Sequence, residues 1–238
     1  MHASRGVRKG WSSESIRSRT PFVGSRKVGP TTPLSFVAHF GGHEPYRLLA
    51  PADYRKMPWK NGGGRTFEIA VGPPDADLNA FAWRVSVAEI ERDGPFSSFP
   101  GVDRTLVLLS GHGMRLSGTG DAVDLRAMFE PVTFAGEAAL ECALADGPTR
   151  DFNLMVRRSL ASGEVIVVRD ESEAVAPAAA YICYAASGTS ECLLAGAPPI
   201  EVSPEHTLVV GREAAGNGLH VNPTSATSVM LVAAISRQ

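Results

Sequence analysis

From Tyr46 onward, apolar and polar positions alternate over short stretches separated by Gly, Pro, Asp or Asn, a period-two pattern that predicts strands. The segments read this way are Phe81 to Ile90, Arg104 to Ser110, Val132 to Phe134, Asp151 to Val156, Val165 to Arg169, Tyr181 to Tyr184, Thr207 to Val210 and Ser228 to Ala233. Helical periodicity is scarce. One short helix is expected near Ala50 to Met57, with Pro51 in its first turn and Pro58 as its stop. The chain therefore reads as all-β.

The strands also recur. Leu106 to Ser110 with its Gly111 turn, Phe134 and Met155 are matched by Tyr181 to Tyr184 with Gly188, Val209 and Met230, at offsets of about 75 positions. Two similar β units in tandem would each have to close or pair their sheet edges, as a duplicated barrel does. Chance alignment of β-rich sequence is the alternative.

Three segments of the first half share one layout. Thr66 and Glu68 oppose Phe67, Ile69 and Val71; Arg84 and Ser86 oppose Trp83, Val85 and Val87; Asp151 and Asn153 oppose Phe152, Leu154 and Val156. Such polar faces either meet solvent, as one side of an antiparallel sheet commonly does, or line the mouth of a barrel wide enough to hold one small ligand. Arg, Ser, Asp and Asn, with short or forked side chains suited to fixed hydrogen bonds, favour the second arrangement.

Two loops are unusually dense. PWKNGGGRTFEI, from Pro58 to Ile69, sets Trp59, Lys60 and Asn61 before Gly62, Gly63 and Gly64; the glycine amides are either an anion-binding nest or a tight turn. DGPFSSFPGVDR, from Asp93 to Arg104, holds Phe96 and Phe99 between two turns, as a hydrophobic plug or as a rim beside a pocket.

Composition narrows the class. The 238 residues suffice for one large domain or two of about 100 residues. A hydrophobic content of 44% and a charged content of 20% are those of a soluble globular protein, and no apolar run approaches the ~20 residues that span a bilayer. A net charge of −2 offers no footprint for nucleic acid. Cys142, Cys183 and Cys192 are too few and too unevenly spaced for a disulfide framework or a zinc site, which fits a reducing cytoplasm. Residues 1–44 differ: Arg5, Arg8, Lys9, Arg17, Arg19, Arg26 and Lys27 stand against Glu14 and Glu44 amid Ser and Gly, so a disordered basic extension is expected. It reads as a flexible tail, an upstream start or a transit-like segment.

PWKNGGGRTFEI, FAWRVSVAEIERDGPFSSFPGVDRTLVLLSGHGM and DGPTRDFNLMVRR, in this order, resemble the HutD/Ves family associated with bacterial histidine utilisation. The resemblance is strong from Tyr46 to Arg158 and weaker beyond. It implies a bicupin, two cupin (RmlC-like jelly-roll) β-barrels in tandem. The N-terminal barrel, residues 45–160, would carry a small-molecule pocket, and residues 161–238 would form a degenerate second barrel. It also implies a ligand such as urocanate, formylglutamate or formate, and a regulatory role in histidine catabolism.

Cupins commonly bind a transition metal through a His cluster, and that cluster is absent here. His112 sits alone in a Gly-His-Gly turn, and His206 and His220 are isolated, so neither metal nor cofactor is expected. The candidate ligand-binding residues are the cations Lys60, Arg84 and Arg104 with Asn61, Glu68, Ser86, Asp151 and Asn153, a set suited to a small carboxylate. Arg104 has a structural alternative, an ion pair with Asp103 or Glu91. A non-enzymatic binding protein is the first reading. A metal-free cupin isomerase or hydrolase, with Glu68 or Asp151 as proton carrier, is the second. The charge-poor stretch from Ala174 to Ala197 is a candidate homo-oligomer interface.

Overall fold

The computed structural model describes residues 45–118 and 122–238; the basic stretch 1–44 lies outside the described residues. Alternating sequence gives strands almost throughout: β1 (Tyr46–Leu49), β2 (Arg55–Pro58), β3 (Gly64–Gly72), β4 (Trp83–Ile90), β5 (Gly94–Phe96), β6 (Val102–Ser110), β7 (Met114–Gly118), β8 (Val123–Leu125), β9 (Pro131–Ala135) and β10 (Leu140–Leu144). The chain continues with β11 (Thr149–Arg157), β12 (Ala161–Arg169), β13 (Glu173–Val175), β14 (Ala180–Ser187), β15 (Ser190–Leu194), β16 (Ile200–Val202), β17 (Thr207–Val210), β18 (Leu219–Pro223) and β19 (Val229–Arg237). One four-residue helix, α1 (Arg212–Ala215), precedes β18.

The helix expected over Ala50 to Met57 does not form. Pro51–Asp53 make a single 3₁₀ turn, and Arg55–Pro58 pair antiparallel with β3 instead. Ladder hydrogen bonds along four residues outweigh what one isolated helical turn can supply, because a helix that short does not outlast its nucleation cost.

The strands form two barrels of one design. In the first, the six-stranded sheet β2-β3-β4-β11-β6-β9 faces the four-stranded sheet β5-β10-β7-β8. In the second, β1-β17-β14-β19-β12 faces β13-β18-β15-β16. The pairings β4·β11·β6·β9 recur as β12·β19·β14·β17, and β5·β10·β7·β8 as β13·β18·β15·β16, so the tandem units are structural, but their register differs from the sequence match: Met230 takes the place of Asp151 rather than Met155, and Val210 that of Phe134. Even the register slip between β6 and β11 beside Arg150 recurs between β14 and β19 beside Ser187. The molecule is a bicupin. Strand β1, sequentially within 45–160, pairs with β17 of the second barrel.

Three of the four apolar clusters among the described residues follow from this layout. One fills the first barrel, with Leu106, Leu108, Met114, Leu116 and Leu140, and another the second, with Tyr181, Cys183, Cys192, Val221 and Met230. The third lies between the two large sheets, where Trp83, Val85, Val87, Phe152 and Leu154 meet Ile182, Tyr184, Leu231 and Ala233. The apolar faces predicted for β4 and β11 are thus spent on the junction of the barrels. Their opposite faces point inward.

Candidate functional site

Register decides which side chains meet. Across the large sheet of the first barrel, Glu68 lies opposite Ser86, Ser86 opposite Asn153, and Asn153 opposite Leu106. One rung along, Arg84 and Arg104 flank Met155; one rung the other way, Ala88 and Leu108 flank Asp151. Directly paired residues of antiparallel strands project from the same face, so Glu68, Arg84, Ser86, Arg104, Asp151 and Asn153 share the interior with the core Leu106 and Leu108. None of the six is more than 8% exposed. These six side chains are withdrawn from solvent, whereas Thr66 on β3 is only partly buried.

Strand β3 departs from simple alternation. A bulge between Glu68 and Ala70 makes Ile69 the extra residue and brings Val71 opposite Arg84. Val71, expected to share a face with Phe67 and Ile69, therefore packs on the opposite side with Met155 and Phe81, at the end of the interior that holds Arg84.

Charges are handled unequally. Arg84 Nε donates to Glu68 at 2.6 Å, and Arg55, largely solvent-exposed, holds the other Glu68 oxygen at 2.9 Å. Among the described residues, the terminal nitrogens of Arg84 meet only the thioethers of Met155 and Met57, at 3.8 and 3.6 Å. Thioethers are weak acceptors, so most of this guanidinium's donor capacity is open. Arg104 makes neither of the ion pairs considered for it, since Asp103 and Glu91 are taken by Arg158 and Arg65. It lies instead 4.3 Å from the ring centre of Phe96 and 5.5 and 5.6 Å from those of Phe99 and Phe134, with one hydrogen bond to the Ser97 carbonyl. The aromatic loop is thus the clamp that holds this cation. Gly136 makes the clamp feasible: its amide and carbonyl bond to Val102 and Phe99, and a Cβ there would press on both carbonyls and on Arg104 Cδ.

Eight buried side-chain atoms have no hydrogen-bond partner among the described residues, and five of them lie in this interior: Ser86 Oγ, Arg104 Nε, Asn153 Oδ1 and both carboxylate oxygens of Asp151. Buried polar atoms are nearly always satisfied, so this cluster keeps hydrogen-bonding capacity that a small polar molecule, water included, could meet. Burial pushes the Asp151 carboxyl up to about 7 against the pull of Arg104. It brings Arg104 down to about 10, with Asp151 opposing and Arg84 reinforcing the shift.

Lys60 and Asn61 stand apart, exposed on the loop from β2 to β3. Asn61 Oδ1 accepts from the Gly63 amide and Gly62 donates to Trp59, so these amides serve a tight turn. A cleft of about 270 Å³ lies elsewhere, at the edge of the second barrel between Ser162, Glu164, Val175 and Ser236. None of the orphaned atoms borders it.

The interior does not suit a metal. Among the described residues no cluster of three or more His, Cys, Asp or Glu converges. His112 sits in an exposed turn against the Asp146 carbonyl, and the acidic Glu68 and Asp151 share their space with two guanidiniums that oppose a cation.

Residues 51–230 match the HutD family model. The chain belongs to the HutD family. An uncharacterised 21.2 kDa protein from the hutC 3′ region of Pseudomonas putida is 37% identical over 150 residues, covering 63% of this HutD-family chain and 78% of that protein. Protein Ves of Cronobacter sakazakii is 39% identical over 140 residues, 57% of this chain and 75% of that one. The HutD structure from Pseudomonas fluorescens SBW25, described as a formate condition, superposes with a TM-score of 0.68 at 28% identity over 81% of this chain and 99% of that one. A Bacillus subtilis oxalate decarboxylase mutant shares the fold alone, with a TM-score of 0.55 at 7% identity over 83% of this chain and 78% of that one. Among the described residues of this HutD-family protein, no helix is long and apolar enough to cross a membrane.

Proposed function

We propose that this HutD-family protein binds a small carboxylic acid inside its first barrel and acts as a non-enzymatic regulator of histidine utilisation, with urocanate, formylglutamate and formate as the ligand candidates. The observation that carries this reading is an internal control. The positions equivalent to Ser86, Arg104, Asp151 and Asn153 in the second barrel are Ile166, Tyr181, Met230 and Val232, which pack in or against its apolar core. One barrel design is stable with apolar residues there, so the polar set of the first barrel answers to something other than folding. The open donors of Arg84 and Arg104 suit a carboxylate, and Asn153 and Ser86 suit an acyl oxygen or a ring nitrogen. The hutC neighbourhood of the Pseudomonas putida relative and the formate condition of the HutD structure agree with an acid from that pathway.

The test is titration calorimetry of the folded protein with the three acids. Saturable heat with at least one, lost in Arg104→Met, is expected; no heat with any of them refutes the proposal. A second reading rests on Asp151, because a buried carboxyl that titrates near neutrality is a competent general acid or base. Turnover of any of these acids that disappears in Asp151→Asn would replace the first reading with an enzymatic one.

A further inference from the structure

The charges buried in the first barrel do not leave room for an anion as they stand. Glu68 is matched by Arg84 at 2.6 Å, with Arg55 reaching the same carboxylate from solvent. That leaves Arg104 and Asp151, two buried groups of opposite sign; the carboxylate has no hydrogen bond among the described residues, and the guanidinium leaves its Nε unbonded. If both are charged, the buried set sums to zero. A carboxylate entering there adds one negative charge beside Asp151, and like charges in a dry interior repel strongly.

We infer that the barrel takes up a singly charged carboxylic acid together with one proton, and that the proton lodges on Asp151. This rests on the acid-binding reading above and states which acids that site accepts. The step balances: the ligand anion and one solvent proton enter, Asp151 goes from carboxylate to carboxylic acid, and no bond of the ligand breaks. The protonated carboxyl then has an O–H to donate, and the ligand carboxylate accepts it while facing the Arg104 guanidinium. Asp151 is thereby converted from a repelling charge into a hydrogen-bond donor.

The surroundings support this. Arg104 on β6 and Cys142 on β10 act on Asp151 directly, and Arg84 on β4 and Glu68 on β3 share the same buried interior further along the sheet. Of these, Arg104 holds the carboxylate in its charged form, and burial overrides it. Burial, and the charge of Asp151 itself, lift the Cys142 thiol to about 11, so that group stays neutral throughout the range that matters. Below about pH 7 the proton is already in place; above it, each ligand must bring one.

Formate is the first probe, since its own carboxyl is ionised throughout the range tested. Its Kd is expected to be nearly flat below pH 7 and to rise toward tenfold per pH unit above it, about 25-fold between pH 6.5 and 8.5. Calorimetry at pH 8 in buffers of different ionisation enthalpy should register the uptake of close to one proton per formate bound. Asp151→Asn, which keeps an uncharged donor, should bind formate with an affinity independent of pH. Formylglutamate, with its second carboxylate, should bind at least tenfold more weakly than urocanate at pH 6.5. Saturable binding with a pH-independent Kd and no buffer dependence overturns the proton coupling and leaves acid binding intact. Equal or tighter binding of formylglutamate overturns the single-charge selectivity. Absence of binding by formate and urocanate at every pH overturns the acid-binding reading itself. The buffer experiment uses the unaltered protein, so it decides the matter even if the variant fails to fold.

Discussion

Asp151 carries a cost in the free protein that its environment makes legible. Its carboxyl titrates near 3.8 when solvated and near 7 in the folded chain, so folding binds a proton in between. The sign follows from linkage: the stability associated with that proton is fully present below about pH 4 and is lost progressively as pH rises to 7. Over the whole window the loss is on the order of 4 kcal/mol. Asp151→Asn should remove this slope, so that its advantage over the parent protein in chemical denaturation grows from pH 5 to pH 8. A difference that is constant over that range would show that Asp151 is not held in a raised state. Arg84 and Glu68 are the complementary case. Removing Arg84 alone strands a buried carboxylate with only the exposed Arg55 beside it, and Arg84→Ala should cost about 3–5 kcal/mol. Pairing it with Glu68→Gln should recover much of that loss, because the charge that had been stranded is gone. Equal destabilisation of the single and double variants in urea melts would mean that the pair contributes by packing alone.

Strands show how local information and distant packing divide the work. Alternation along β4 and β11 was sufficient to put Arg84, Ser86, Asp151 and Asn153 on one face and Trp83, Val85, Phe152 and Leu154 on the other, and each face sits where the pattern puts it. The pattern could not say that the polar face is the buried interior, because a solvated sheet face alternates in the same way. Only the second barrel, whose positions equivalent to Ser86, Asp151 and Asn153 are apolar, and the convergence of β3, β4, β6 and β11 separate the two. Three features were hidden for the same reason. The bulge at Ile69 shifts register by one residue and moves Val71 across the sheet, and nothing in GRTFEIAVG announces it. The failed helix at Ala50 to Met57 had suitable prolines, but the competing partner for Arg55–Pro58 is β3, reached through the Gly62–Gly64 turn. Gly64 is needed there because a Cβ would overlap the Glu89 carbonyl oxygen of β4. The clamp around Arg104 draws on Phe134 and Gly136, about 30 residues further along the chain. Phe96 and Phe99 were legible as a loop that packs on something; that the something is a cation was not.

At the scale of the whole molecule, the repeat invites the view that the second barrel is a separable module, and the packing argues against it. Its large sheet turns Ile182, Tyr184, Leu231, Ala233 and Ile235 toward the first barrel, where they meet Trp83, Phe152 and Leu154 in a shared core. Phe152 and Tyr184 stack with ring centres 5.7 Å apart. Its edge is completed by β1, which arrives from the other end of the chain. Polar ties bridge the same junction: Arg150 of β11 bonds Glu205 at 2.5 Å, and the Tyr54 hydroxyl donates to the Glu205 carbonyl at 2.5 Å. A fragment of residues 161–238 would expose that apolar sheet face and leave β17 without its edge partner, so it should lack a cooperative melt and bind hydrophobic dyes. The described chain, by contrast, should unfold in one transition, since neither barrel can leave without uncovering the core they share. Phe152→Ala tests this most directly: it should cost about 3–5 kcal/mol and lower the melting of both barrels together. Two resolved calorimetric transitions in that variant, with only one displaced, would show that the barrels hold their stability separately and that the second is more than a support for the polar interior of the first.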